Sequence, residues 1–141
     1  MKLKHFFFSL LLIFSHCQRN NQEAKPPVIV NDLKINHSFE TEDYSLKFIQ
    51  VIMDSRCPKE TSCVWPGSIE VEVEIENYLT KKKELKIIQL DAPNSQDEEI
   101  IKIGKNRSIF LKNLKPYPQK SNTEIKKDDY QLIFYEVYTK A

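Results

Sequence analysis

The cysteines are the most reactive side chains of this 141-residue chain, and their spacing limits the chemistry open to them. Cys57 and Cys63 enclose five residues, and Pro58 directly follows the first of them. A redox pair is normally spaced Cys-x-x-Cys, and a metal site needs further ligands. In an exported chain such a pair predicts a disulfide, and a closed loop of this length restricts the unfolded chain by about 2.4 kcal/mol. A metal site or a reactive thiol pair is the alternative.

Histidine is too scarce for most catalytic or metal sites. His5 and His16 lie among the first sixteen residues, which leaves His37 alone in the rest of the chain. A histidine-rich metal site within one chain is therefore excluded, and no glycine-rich phosphate loop occurs. If Cys57 and Cys63 are bonded, no free thiol remains for nucleophilic catalysis. Carboxylate pairs leave a hydrolase as one alternative, but we expect no enzymatic activity and no cofactor.

Two groups of acidic residues carry enough charge to attract a cation. The glutamates at every second position from Glu70 to Glu76 would lie along one strand, about 6.6 Å apart, and would converge poorly on one ion. Residues 97–99 (Asp-Glu-Glu) lie in a predicted loop, but this loop lacks the glycine and the alternating oxygen ligands of a calcium loop. The sequence therefore predicts no metal site and a solvated glutamate face.

The overall composition is that of one globular domain without a nucleic acid partner. Hydrophobic residues make up 40% and charged residues 29% of the chain, within the usual range for a soluble fold. The formal net charge is +1. So small a charge produces no field that would steer the protein to nucleic acid.

The first sixteen residues have the layout of a secretory signal peptide. A basic start is followed by an apolar run from residue 6 to residue 14 and then by polar residues. The run is far shorter than the ~20 residues that span a bilayer. Residues 13–17 resemble the lipobox of bacterial lipoproteins, with His16 where Gly, Ala or Ser is usual. The resemblance implies that Cys17 is acylated and becomes the mature N-terminus; an ordinary cleaved signal or an uncleaved anchor is the alternative.

An acylated Cys17 would make the lipid bilayer the first partner of this protein. Each buried CH2 contributes about 0.8 kcal/mol, so two or more acyl chains would hold the protein firmly. Gln18 carries no retention signal of the Asp type, which slightly favours the outer membrane. Residues 18–27 lack apolar periodicity and cannot offset the entropy of ordering. We therefore expect a signal peptide over 1–16, a lipidated N-terminus and tether over 17–34, and a folded domain over 35–141.

Apolar residues in this domain recur with the two-residue period of β-strands. Residues 68–76 alternate without exception between aliphatic side chains and glutamates, which predicts an antiparallel strand with one wet face. Residues 84–90 are the predicted return strand, with Lys83 and Lys86 among the lysines expected to face the glutamates. Residues 44–53 change phase at Phe48-Ile49, which predicts a β-bulge or a strand buried on both faces.

The last apolar segment, residues 130–138, is apolar on both parities for most of its length, as in a central strand buried on both sides. About seven such strands and no helix of ten residues are predicted. The fold class is therefore all-β: an antiparallel β-sandwich or small barrel with one disulfide-closed loop.

Residues 55–67 contain the pattern Ser-Arg-Cys-Pro followed by Cys-x-Trp-x-Gly. This pattern resembles a motif of small exported bacterial proteins and lipoproteins of unknown function, in which Ala is common at the place of Pro66. Residues 111–118 and 130–132 are also similar to those proteins. The resemblance implies an exported all-β domain and carries over no activity.

The loop around the cysteines holds the candidate binding residues. Asp54 and Arg56 are expected to pair with each other or with the loop backbone; the alternative is that a rigid loop presents Arg56 to a partner's carboxylate. Trp65 is expected to pack on the disulfide in the core, and its alternative is an exposed anchor for a partner. Gly67 is expected to serve a turn with positive φ.

These features together favour a membrane-anchored bacterial lipoprotein whose β-domain binds another protein or a surface component of the cell envelope. A secreted hydrolase that uses carboxylates and a purely structural envelope component are the alternatives. The hydrolase requires a pocket with two acids about 5–10 Å apart.

Overall fold

The computed structural model describes residues 28–91, 99–103, 106–120 and 124–138. Within these ranges the chain forms eight β-strands and one 3-10 turn at Lys127–Asp129. The strands are β1 (Val30–Lys34), β2 (Ser38–Glu40), β3 (Tyr44–Asp54), β4 (Ser68–Asn77), β5 (Lys82–Asp91), β6 (Glu99–Ile103), β7 (Arg107–Lys115) and β8 (Gln131–Tyr138).

The strands form two antiparallel sheets of four, in the orders β1-β8-β7-β6 and β2-β3-β4-β5. No described strand belongs to both sheets, so the fold is a sandwich and not a closed barrel. The all-β prediction is confirmed, and the structure decides between its two architectures. The inner faces meet in one apolar core, which includes Tyr44, Phe48 and Phe134, each 0% exposed.

Strand β4 confirms the predicted alternation. Its aliphatic side chains at 69, 71, 73 and 75 are buried against the other sheet, while the glutamates between them are half-buried on the outer face. Full burial of one such side chain stabilises the fold by roughly 1.5–3 kcal/mol. The period-two pattern thus sets which face of the central strand becomes core.

Strand β3 confirms the predicted phase change. Its register against β4 shifts between Phe48 and Gln50, and again between Val51 and Met53. Each shift places an extra residue on β3, which turns the following side chains to the other face. Strand β3 ends at Asp54, where the cysteine loop begins.

In the hairpin of β4 and β5, the predicted position of Lys83 is confirmed and that of Lys86 is wrong. Lys83 forms an ion pair with Glu74 at 2.9 Å on the outer face. Lys86 lies opposite Val73, so it is on the inner-face side and pairs with Glu84 at 3.7 Å. The prediction for Lys86 is wrong because a side chain at an even position of β5 shares the face of the odd positions of β4.

The folded domain begins earlier than the expected boundary at residue 35. Residues Val30–Lys34, which lie within the predicted tether, form β1 and pair with β8 in full register. Among them only Leu33 is buried, at 4% exposed, and a single buried side chain is too weak a pattern to reveal a strand.

Strand β8 lies between β1 and β7, as expected for a central strand. It is buried on both faces only at Leu132, Ile133 and Phe134. Towards its end Val137 is 37% and Tyr138 61% exposed, so the expected burial on both sides is wrong there. Aromatic content alone does not bury the end of a strand.

Several predictions lie outside the described residues. These are the signal peptide over 1–16, the lipidation of Cys17, the rest of the tether up to residue 27, and the acids at 97 and 98. In the part of the chain that is described, no helix is both long and apolar enough to cross a membrane.

Candidate functional site

The loop between β3 and β4 is closed by the predicted disulfide. Cys57 and Cys63 are bonded, with their Cα atoms 5.9 Å apart. At the base of the loop, the N–H of Cys57 donates to Pro66 O at 2.9 Å, and the N–H of Ser55 donates to Ser68 O at 2.9 Å. The loop is thus held both by a covalent bond and by the continued pairing of its two arms.

A second contact fixes the loop to the segment that follows β7. The N–H groups of Lys59 and Glu60 donate to the carbonyls of Pro118 and Gln119 at 3.1 and 3.0 Å. The hydroxyl of Tyr117 donates to Cys57 O at 2.9 Å. The loop is therefore held against the domain by its own contacts. These contacts order its backbone before any partner binds, so binding need not order it.

Gly67 confirms the predicted need for positive φ. Its φ is +78°, and a Cβ built on it would lie 1.9 Å from the carbonyl oxygen of Ser55. No side chain fits that distance, so only glycine lets the loop return to β4 here.

Arg56 is the one buried charged residue among those described, at 4% exposed. Its Nε and Nη2 donate to the two carboxylate oxygens of Asp54 at 2.8 and 2.6 Å. Nη1 donates to Leu114 O at 2.6 Å, and Nη2 also donates to Pro116 O at 2.9 Å. Strand β7 ends just before Pro116, because proline cannot donate to a sheet ladder, and this end supplies both carbonyls.

Aromatic side chains complete the surroundings of this ion pair. The guanidinium of Arg56 lies over the ring of Tyr117, 4.9 Å from its centroid. The hydroxyl of Tyr130 donates to Asp54 Oδ2 at 3.0 Å. Tyr117 and Tyr130 were missed as members of the cluster, although both fall in segments that resemble the exported proteins named above.

The pKa values follow from these contacts. Burial alone would raise the pKa of Asp54, but the hydrogen bonds and the charge of Arg56 outweigh it, and the pKa lies below its usual value of 3.8. Burial and the neighbouring Asp54 carboxylate raise the pKa of Tyr130 to about 12. Asp54 is therefore ionised and Tyr130 neutral at physiological pH.

The geometry indicates that Arg56 and Asp54 stabilise the loop. The predicted pairing between them is present, whereas the alternative, in which Arg56 is presented to a partner's carboxylate, is not supported. Four of the five N–H donors of the guanidinium are already used within the domain. Arg56 anchors the loop from below.

Trp65 lies where the alternative prediction placed it. Its side chain is 70% exposed, and that of the adjacent Val64 is 94% exposed. The expected core position is wrong because Arg56 and Tyr117, and not the indole, fill the space under the loop. A fixed loop that holds an aliphatic and an aromatic side chain in water is suited to non-covalent contact with another surface.

A cavity of about 390 Å3 lies beside the Arg56 cluster. Its charged lining includes Asp54, Glu124, Lys120 and Lys127. Hydrolysis by two carboxylates needs one of them protonated as the general acid. The lowered pKa of Asp54 makes it unsuited to that role.

A second polar cluster, which sequence reasoning did not detect, lies at the other end of β8. Arg107 donates to Thr41 Oγ1 at 2.9 Å and pairs with Asp43 at 3.0 Å and Glu136 at 3.8 Å. The buried hydroxyl of Tyr44 donates to Glu136, and burial together with this carboxylate raises the pKa of Tyr44. The adjacent cavity, about 520 Å3, is lined mainly by apolar side chains, and its acid Glu136 is already bound. This cluster ties β3 to β7 and β8.

Within the described ranges, no group of three or more His, Cys, Asp or Glu residues is placed to hold a metal ion. The chain matches no protein-family model, no curated protein and no solved structure. The chemistry of the loop and its surroundings is therefore the basis on which a function can be inferred.

Proposed function

We propose that this chain is an exported, lipid-anchored protein of the bacterial cell envelope that binds another protein or a surface component through Val64 and Trp65. The observation that supports the binding role is the 94% and 70% exposure of these two side chains at the end of an internally braced loop. Apolar side chains are exposed singly in many proteins, but two together on a stapled loop form a contact patch.

The rigidity of the loop matters as much as its exposure. The Cys57–Cys63 bond, the Arg56 cluster and the hydrogen bonds to residues 118 and 119 restrict the backbone before binding. Binding by a restricted loop costs less conformational entropy than binding by a free one. Trp is also the side chain most often found at the energetic centre of an interface.

Export and anchoring are supported by the sequence and by the loop chemistry. The first seventeen residues carry the signal-like segment and Cys17. Disulfides such as Cys57–Cys63 persist in oxidising compartments and are rare in the cytosol. Intact mass of the protein from the membrane fraction tests this part: we expect loss of residues 1–16, added acyl chains, and two thiols that can be alkylated only after reduction.

The binding role is tested with the full chain in detergent, immobilised and exposed to an envelope extract. Trp65→Ala is compared with Leu79→Ala, which removes a side chain of similar exposure, 75%, from the β4–β5 turn. We expect one bound species to be retained by the native chain and by L79A but reduced about 30-fold by W65A, as for a central aromatic anchor. Both variants should unfold like the native protein, because both side chains lie in water.

Equal retention of the same species by W65A and L79A would refute the loop as the contact. Retention of nothing by any of the three proteins would favour the purely structural alternative. Because Trp65 is the only tryptophan, its fluorescence also reports directly on the loop. A blue shift with phospholipid vesicles alone would assign the loop to the bilayer instead of a protein partner.

A further inference from the structure

Strand β5 is the long uncovered edge of this sandwich. The other edge strands β1, β2 and β6 have five, three and five residues, whereas β5 has ten. No described strand pairs with its side away from β4. Natural proteins usually shorten or block an exposed edge, because its free N–H and C=O groups pair readily with another chain. An edge of this length is a candidate for pairing.

The side chains of β5 strengthen this argument. Leu85 and Ile87 lie on the outer face, opposite Glu74 and Glu72, and are 62% and 67% exposed. Strand β5 does carry charges that commonly block an edge, Lys83 on the outer face and Lys86 on the inner-face side, but these two exposed aliphatic side chains lie among them. The sequence pattern predicts a strand over residues 84–90 but does not show which face Leu85 and Ile87 occupy.

The charges of β5 are complementary to those of a second, antiparallel copy of the same strand. In an antiparallel pair of identical strands centred on Leu85, Glu84 of each copy lies directly opposite Lys86 of the other, and Leu85 lies opposite Leu85. Centring on Lys86 would instead place two lysines opposite each other, and centring on Ile87 would leave Glu84 opposite the apolar Leu90. Of these three registers, only the one centred on Leu85 pairs Glu84 with Lys86 of the other copy and Leu85 with Leu85.

We propose that two copies of this chain associate through β5 in antiparallel register about Leu85. The pairing covers residues 82–88 of each copy and joins two four-stranded sheets into one of eight. The symmetry is twofold, so both copies use the same surface and the assembly closes at two. Glu84 and Lys86, which pair at 3.7 Å within one strand, each gain a partner in the second copy.

The register predicts a crosslink. Side chains directly opposite in an antiparallel pair have Cβ atoms about 4.5–5.5 Å apart, close to disulfide range, whereas positions four residues out of register are roughly 13 Å apart. In the full chain in detergent, under mild oxidation, we expect Leu85→Cys to form a covalent dimer. Ile87→Cys, the matched control on the same face, should not, because Ile87 lies opposite Lys83 of the other copy.

Charge exchange tests the same pairing without a new thiol. Glu84→Lys alone or Lys86→Glu alone places like charges opposite each other at two places, so each should weaken self-association about 10-fold in sedimentation equilibrium. Mixing the two variants restores opposite charges at both places and should give a mixed dimer. The double variant E84K/K86E should associate like the native chain.

Other results would overturn the proposal. A native chain that stays monomeric at high concentration, or a dimer whose association is unchanged by both E84K and K86E, would exclude this edge as the interface. Crosslinking of I87C in place of L85C would exclude the register. W65A is expected to dimerise normally, so failure of the loop proposal and failure of this one can be told apart.

Discussion

Replacing Arg56 with methionine removes the charge beneath the disulfide loop while keeping most of the volume of the side chain. Asp54 would remain ionised with its side chain only 10% exposed, and with Tyr130 as its remaining side-chain donor. The carbonyls of Leu114 and Pro116 would also lose a donor. An uncompensated buried charge is the costly outcome when one partner of a buried pair is removed.

The expected loss follows from the burial of the pair. Breaking a buried ion pair costs about 3–5 kcal/mol, against about 5–15 kcal/mol for the whole fold of a domain. Because Asp54 borders a cavity open to water, we expect the lower end, about 3 kcal/mol. Urea unfolding should show it as a midpoint shift on the order of 1–2 M. Circular dichroism is the suitable probe, since Trp65 is exposed in the folded state and its emission would change little.

The dependence of this loss on pH separates a charge effect from a packing effect. The pKa of Asp54 is lowered in the folded protein, so the pair contributes its full stability above about pH 4 and loses it as pH falls through the folded pKa. In R56M, burial without a cation should raise the pKa of Asp54, so protonation should stabilise that variant. The difference between the two proteins should therefore shrink from pH 7 to pH 3.

Lys120→Met is the control, because Lys120 is 66% exposed and its ion pair with Glu60 spans 3.7 Å at the surface. We expect a change under about 0.5 kcal/mol at both pH values. A loss for R56M no larger than that of the control, or a loss that stays constant between pH 7 and pH 3, would refute the account of Arg56 given above.

Further predictions concern the loop and the tyrosines. C57S/C63S should lower the free energy of unfolding in urea by about 2 kcal/mol. A reductant should then lower the stability of the native protein but leave that of the variant unchanged. Gly67→Ala should destabilise the fold by more than the roughly 1–2 kcal/mol that the positive φ alone would cost, because the added Cβ would overlap Ser55 O. Thr61→Ala, at an exposed position of the same loop, is the control for loop stability. The raised pKa of Tyr130, about 12, means that its contribution is present below pH 10 and lost as pH rises towards 12. Tyr130→Phe should therefore lack this part of the alkaline unfolding, and an unchanged alkaline curve would contradict the assignment.

Much of the architecture was predictable because it depends on local patterns. The alternation in residues 68–76 sets one buried and one wet face whatever the rest of the chain does. The phase change at Phe48 predicts either a bulge or a strand buried on both faces, and the structure has the bulge. The Cys57–Cys63 pair is also local, since a loop this short brings its ends together by itself. These features follow from the sequence alone, together with the all-β class.

The tertiary structure alone decided the roles of Arg56, Trp65 and β5. The carbonyls that bind Arg56 belong to Leu114 and Pro116, 58 and 60 positions away, so no local pattern could show that this arginine would be buried. Once it fills the space under the loop, Trp65 is left in water. The exposure of Leu85 likewise depends on β5 lying at the edge of its sheet. Burial is a property of the assembled layers, and short periodic patterns record only which residues share a face.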